Sequence, residues 1–141
     1  MFVVDSDHAG DKGVRLSRTG FIIYLNLAPI VWYSRKQSTI KTSLFGAEFV
    51  AMKHGMECLR GLHYKLRMMG VELSGPPSYI YGDNMSAIHN TQRPESTLRR
   101  TSNSICYHAI CKAVALGECL TVLISTHDNP ADICMKIISG G

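Results

Sequence analysis

Residues 78–88 read SYIYGDNMSAI. Tyr79, Ile80 and Tyr81 form a short buried strand, the chain turns helical from about Asn84, and Asp83 stands at the junction. Strand passing to helix implies a sheet covered by helices, and both flanks agree. Upstream, Ser74-Gly75-Pro76-Pro77 is a connector. Before it, Ala51, Gly55, Cys58, Leu62, Leu66 and Met69 recur at steps of three and four, the apolar stripe of an amphipathic helix from about Leu44 to Met69. Gly70 supplies its stop, and Lys65 and Arg67 complement the helix dipole in the last turn.

Further upstream the pattern is that of strands. FVVDSD at 2–7 is a β-branched run ending in acids, followed by a Gly-containing polar loop. GFIIYLNL at 20–27 and IVWYS at 30–34 are two more strands, with Ala28-Pro29 as the turn between them. Downstream of the central strand, residues 91–101 are a polar, basic loop. A helix runs from about Asn103 to Leu116 and stops at Gly117. CLTVLIST at 119–126 is a fifth strand, and Asn129-Pro130 opens a final helical segment that contains Asp132. The order is three strands, helix, strand, one or more helices, strand, helix: an α/β chain with an antiparallel meander leading into strand–helix alternation.

The 141 residues fit one domain, 1–141, with a single core. At 45% apolar and 18% charged, the composition is that of a globular protein rather than a disordered one. The net charge of +4 permits a nucleic-acid partner without requiring one. Five cysteines in no paired spacing, and no secretory signal, read as reduced thiols in an intracellular compartment. Cys106, His108 and Cys111 fall on a helix with the thiols on different faces, so they are packing residues rather than a zinc site. The most apolar stretch, Phe21 to Tyr33, is interrupted by Asn26 and Pro29 and is too short to span a bilayer.

Four carboxylates, Asp5, Glu48, Asp83 and Asp132, fall on four different elements. Each has an ordinary explanation. Asp83 could cap a helix, Glu48 and Asp132 could be first-turn acids, and Asp5 could be a strand-end loop residue. As a set they suggest more, because two-metal phosphodiester hydrolysis needs clustered acids holding divalent ions roughly 3.5–4 Å apart. Mg²⁺ takes oxygen ligands and keeps several waters, so a few carboxylates suffice.

The segments DSDHAGDK, SRTGFIIYL, PIVWYSRKQSTI, GAEFVAMKHGMECLRGL, YIYGDNMSAIHN and NPADICMK resemble, in sequence and order, the ribonuclease H domain of copia-type LTR retrotransposon Pol polyproteins. The likeness covers almost the whole chain. It implies a ribonuclease H-like fold, a five-stranded mixed sheet antiparallel through its first three strands and flanked by helices. It also implies that Asp5, Glu48, Asp83 and Asp132 are the metal ligands and catalytic residues, with two Mg²⁺ ions, for which Mn²⁺ can substitute. Asp5 is preferred over Asp7 because it continues the apolar strand. Gly46 occupies a position where the family carries a further acid. The implied substrate is an RNA–DNA hybrid, with Glu48 also able to accept a hydrogen bond from a 2′-hydroxyl. Arg35, Lys36, Lys41, Arg99 and Arg100 are candidates for phosphate contacts, and His127 for proton transfer.

The resemblance also implies a reverse transcriptase domain as partner in the parent polyprotein, no membrane, and a monomeric state for the isolated piece. Its setting would be a cytoplasmic virus-like particle or the nucleus. Cys134 replaces a Thr usual in the family, and Cys111 replaces a basic residue. The chain opens four residues before Asp5 and closes on Gly140-Gly141, which reads as a piece of a decaying element, or a gene model cut from one, with weak activity in isolation. The alternative is an inactive relic that folds and binds nucleic acid. A transposase or integrase of the same fold fits less well, since its acid triad has no Glu on the first long helix.

Overall fold

The computed structural model describes residues 2–7, 18–36, 44–92 and 104–134. Strands β1 (Phe2–Asp7), β2 (Arg18–Leu25) and β3 (Ala28–Lys36) come first, then helix α1 (Leu44–Met68). Strand β4 (Ser78–Gly82), helices α2 (Met85–Gln92) and α3 (Ser104–Ala115), and strand β5 (Cys119–Leu123) follow. Two 3-10 helices, Thr126–Asp128 and Pro130–Cys134, close the described chain. The element order is the one read from the sequence, and the mixed α/β class holds.

The strands are hydrogen-bonded in the order β3-β2-β1-β4-β5. β1, β2 and β3 pair antiparallel, whereas β1–β4 and β4–β5 pair parallel. β1 is therefore central, flanked by its sequence neighbour on one side and by a strand more than seventy residues away on the other.

β2 is buried continuously from Thr19 to Ile23 instead of on alternate residues. α1 and the closing 3-10 helix both pack against it, and a strand covered on both faces buries every residue. Phe21, Ile23 and Ile80 from the sheet meet Phe49 and Met52 of α1, with Tyr107 and Ile110 of α3 behind them. The Phe49 ring stands edge-on to Tyr107, centroids 5.5 Å apart, the arrangement that aromatic quadrupoles favour. Burying a side chain of that size contributes ~2–3 kcal/mol.

Two details differ from the sequence expectation. The β2–β3 turn lies at Asn26-Leu27, not at Ala28-Pro29, and Ala28 and Pro29 are paired strand residues opposite Leu25 and Tyr24. Asn26 takes φ 55°, a left-handed conformation that Asn tolerates better than most residues. Pro29 is accommodated on an edge strand, where only one side of the chain carries ladder bonds, and the register slips beside it between Ile23 and Tyr24. The final helical segment is 3-10 as far as it is described. The expected stops are where they should be: Gly70 (φ 81°) and Gly117 (φ 69°) take left-handed backbone just past α1 and α3, and Val71 N–H donates back to Leu66 C=O at 3.0 Å. Met69, expected on the apolar stripe, lies beyond α1 and is 70% exposed.

Candidate active site

Glu48 is the fifth residue of α1, which has no acid in its first turn. It is 1% exposed, so it is not a surface charge complementing the helix dipole. A carboxylate withdrawn from water to that degree is costly unless something compensates it. Glu48 keeps interactions within the fold, but Oε1 accepts no hydrogen bond among the described residues. That oxygen points at the end of β4: a Cβ built on Gly82 would lie 3.0 Å from Glu48 Oε1, 3.2 Å from Met52 Cε and 3.3 Å from Ile88 Cδ1. The Glu48 carboxylate thus occupies the space that any side chain at position 82 would need, immediately before Asp83.

Asp83 is half-buried at the β4–α2 junction. It does not cap α2. The cap is Asn84, whose Oδ1 accepts the Ala87 N–H at 3.1 Å and whose carbonyl accepts the Ile88 N–H at 3.0 Å. The junction is held from beyond as well. Gly82 C=O accepts the Ile124 N–H at 2.9 Å, Thr91 Oγ1 lies 2.7 Å from Thr121 Oγ1, and Gln92 Nε2 donates to Thr121 C=O at 2.9 Å. α2 is in this way pinned to β5, and the chain on either side of Asp83 is fixed.

Asp5 lies inside β1 with its backbone opposite Gly20 of β2, not in a loop. In the parallel β1–β4 pair Phe2 is level with Ile80 and Val3 with Tyr81, so the β1 residues that follow, Asp5 among them, run on toward the end of β4 that precedes Asp83. Asp7, the second choice, ends β1 opposite Arg18. The side chains of β1 are outside the described residues.

Asp132 sits half-buried in the first turn of the closing 3-10 helix, which packs against β1 and β2. Its N–H donates to Asn129 C=O at 3.2 Å, while buried Asn129 caps the turn by accepting the Ala131 N–H on Oδ1 at 3.0 Å. The first-turn explanation thus describes Asp132 correctly, although it is not the cap. Ser34 of β3 donates its hydroxyl to Cys134 C=O, which ties this helix to the sheet.

Among the described residues, no three His, Cys, Asp or Glu side chains form a metal-binding group. The carboxylate oxygens available are the donor type that Mg²⁺ takes. Glu48 Oε1 in the cradle left by Gly82, next to Asp83, is the observation that fits such an ion.

Of the basic candidates, Arg35 and Lys36 are exposed on edge strand β3, opposite Thr19 and Arg18. Lys41, Arg99 and Arg100 lie outside the described residues. His127 is exposed in the 3-10 turn Thr126–Asp128. The five cysteines are thiols, none of them in a disulfide, and Cys58, Cys106 and Cys111 pack against the core. Buried Cys119 has its thiol pushed up to about 11, mainly by burial and secondarily by neighbouring Glu118.

Sequence reasoning missed Asn84 as the cap and Gly82 as the space beside Glu48. The signal for Gly82 was present: a glycine closing a strand marks a close approach by another group.

No family model matches the chain. It is 35% identical over 135 residues to the retrovirus-related Pol polyprotein from transposon RE1 of Arabidopsis thaliana, covering 96% of this chain and 9% of that protein. It is 32% identical to the corresponding polyprotein from transposon TNT 1-94 of Nicotiana tabacum, covering 95% of this chain and 10% of that protein. The chain spans about a tenth of the length of these curated relatives. Among solved structures it is similar to LC11-RNase H1, isolated from compost by a metagenomic approach, with TM-score 0.69 and 16% identity over 94% of this chain and 89% of the other. It is also similar to LC11-RNase H1 in complex with an RNA/DNA hybrid, with TM-score 0.67 and 14% identity over 94% and 91%.

Proposed function

Because the chain is homologous to a segment of the retrovirus-related Pol polyproteins of transposons and has a ribonuclease H-like fold, we propose that residues 1–141 are one ribonuclease H domain of such a polyprotein. It is a metal-dependent endoribonuclease that cuts the RNA strand of an RNA–DNA hybrid. One observation carries the reading: the buried Glu48 carboxylate lies against Gly82, the last residue of β4 and the one before Asp83, an acid that has no capping duty.

In this reading Asp5, Glu48, Asp83 and Asp132 hold two Mg²⁺ ions. When bound, the ions supply a water activated for attack on phosphorus and stabilisation of the departing 3′ oxygen. The chain does the rest. Burial shields the Glu48 carboxylate from bulk water, and the Asn84 cap and the Gly82 carbonyl bond fix the backbone that carries Asp83. Glu48 is also a group that could accept a hydrogen bond from a 2′-hydroxyl, which only the RNA strand has. Backbone phosphates would be met by exposed Arg35 and Lys36 of the edge strand and by Lys41, Arg99 and Arg100. In this reading His127, exposed and close to Asp132 in sequence, is the candidate for proton transfer.

The solved complex of LC11-RNase H1 holds an RNA/DNA hybrid, the same class of substrate. In the parent polyprotein a reverse transcriptase domain would present that hybrid. No helix among the described residues is long and apolar enough to cross a membrane. The inactive-relic alternative draws on the departures from the family pattern at Cys111 and Cys134.

The test is cleavage of a labelled RNA–DNA hybrid in Mg²⁺, run beside duplex DNA and single-stranded RNA, with Asp83→Asn as control. Hybrid-specific, Mg²⁺-dependent cutting that Asp83→Asn abolishes is expected. A folded wild-type protein that cuts nothing in Mg²⁺ or Mn²⁺ would favour the relic, and equal cutting of duplex DNA would remove the ribonuclease H assignment.

A further inference from the structure

We propose that Gly82 is a positioning residue for the metal site, acting through the side chain it lacks; this rests on the proposed function above. Three buried side chains surround the place where a Gly82 Cβ would stand, at 3.0 Å for Glu48 Oε1, 3.2 Å for Met52 Cε and 3.3 Å for Ile88 Cδ1. These separations are shorter than ordinary van der Waals contact between carbons. Something must yield if a methyl is added.

The surroundings decide what yields. Gly82 itself cannot retreat: its carbonyl is held by Ile124 N–H at 2.9 Å, and the residue pairs with Leu123 of β5. Met52 and Ile88 are 0% and 1% exposed in the core cluster, so their methyls have packed neighbours behind them. Glu48 is as buried as they are, but its Oε1 makes the shortest of the three contacts and ends a flexible side chain, so it is the first group that an added methyl displaces. Gly82 is not in left-handed backbone, so alanine there is not opposed by φ. Its effect comes from displacing the carboxylate. Displacing a ligand oxygen weakens metal binding more than it weakens the fold.

Mn²⁺ serves as the probe, with calorimetric titration of the full chain. Gly82→Ala should melt cooperatively and bind Mn²⁺ on the order of ten-fold more weakly, the scale seen when supports of metal ligands are changed. Glu48→Asp, one methylene shorter, should weaken binding in the wild-type background but restore part of it in Gly82→Ala. Equal Mn²⁺ affinity of Gly82→Ala and wild type overturns the proposal, as does an equal loss from Glu48→Asp in both backgrounds. If Gly82→Ala does not fold, Gly82→Ala with Ile88→Val clears the 3.3 Å contact and carries the same comparison.

A metal-free measurement separates this proposal from the function. The Glu48 side-chain carboxyl ¹³C resonance should shift in Gly82→Ala without any cation, and an unchanged resonance overturns the steric claim by itself. Absence of Mn²⁺ binding by wild type, with Glu48→Gln indistinguishable from it, overturns the ribonuclease reading and the metal role of Gly82 with it.

Discussion

Replacing Asn84 by Ala and Asp83 by Asn should separate structural from chemical duty at two adjacent residues. Asn84 Oδ1 holds the Ala87 N–H at 3.1 Å, and Ala87 is 0% exposed, so water cannot easily replace the lost acceptor. Cap removal costs ~1 kcal/mol in typical cases and up to ~2 kcal/mol at the high end. The high end applies here because α2 has only eight residues, and one of its few unsatisfied N–H groups would become a buried one. For a chain of 141 residues, ~1–2 kcal/mol corresponds to a fall in Tm of roughly 3–8 °C. Asp83→Asn removes no cap and should stay within ~0.5 kcal/mol of wild type in EDTA. Calorimetric melts with and without Mg²⁺ provide the assay. Mg²⁺ should raise the Tm of wild type and of Asn84→Ala by mass action and leave Asp83→Asn unmoved. If Asp83→Asn in EDTA destabilises as much as Asn84→Ala, Asp83 is a structural acid and the reasoning fails.

Glu48→Gln keeps the shape of a 1%-exposed side chain while removing a buried charge, so the EDTA melt should be unchanged or higher and hybrid cleavage should vanish. A large loss of stability in EDTA would instead make Glu48 a structural ion. His63 sits 3.3 Å from Ser78 Oγ, and burial, with help from Arg67, pushes its pKa below 6.5. The folded state therefore favours the neutral ring. That contribution is complete above pH 6.5 and is lost as pH falls from 6.5 through the lowered folded value. His63→Gln should flatten the Tm-against-pH curve between pH 7.5 and 5 (about, by the same linkage), and an unchanged slope would contradict the shift. The Cys119 thiol, buried and pushed up to about 11, should resist iodoacetamide in native protein at mildly alkaline pH and react after unfolding. Native-state alkylation at Cys119, mapped by mass spectrometry, would contradict its burial.

What the sequence revealed depended on how local the determining physics is. α1 and its stop were legible because periodicity and the left-handed backbone at Gly70 are properties of the segment itself. The β2–β3 turn was not, because Pro29 is a turn signal whose meaning changed once β3 became an edge strand, a fact of sheet order. The acids divide the same way. Asp83 and Glu48 looked like ordinary capping and first-turn residues, and only the Asn84 hydrogen bond and the 1% exposure of Glu48 removed those explanations. Asp132 keeps its ordinary explanation alongside the proposed one.

The parallel seam between β1 and β4 has a temporal consequence. Residues 2–7 and 78–82 must find each other before the strand that carries Asp5 lies beside the one that leads into Asp83, and the helix carrying Asp132 arrives fifty residues later still, as the chain count from 82 to 132 gives. During synthesis from the N-terminus, a chain that has emerged only through α1 holds Asp5 and Glu48 but neither later acid. On the proposed reading, such a nascent chain lacks half of the ligand set and could not yet act on an RNA–DNA hybrid. Competence would switch on only when the last described element docks, so the order of strands in the sheet would also act as a clock.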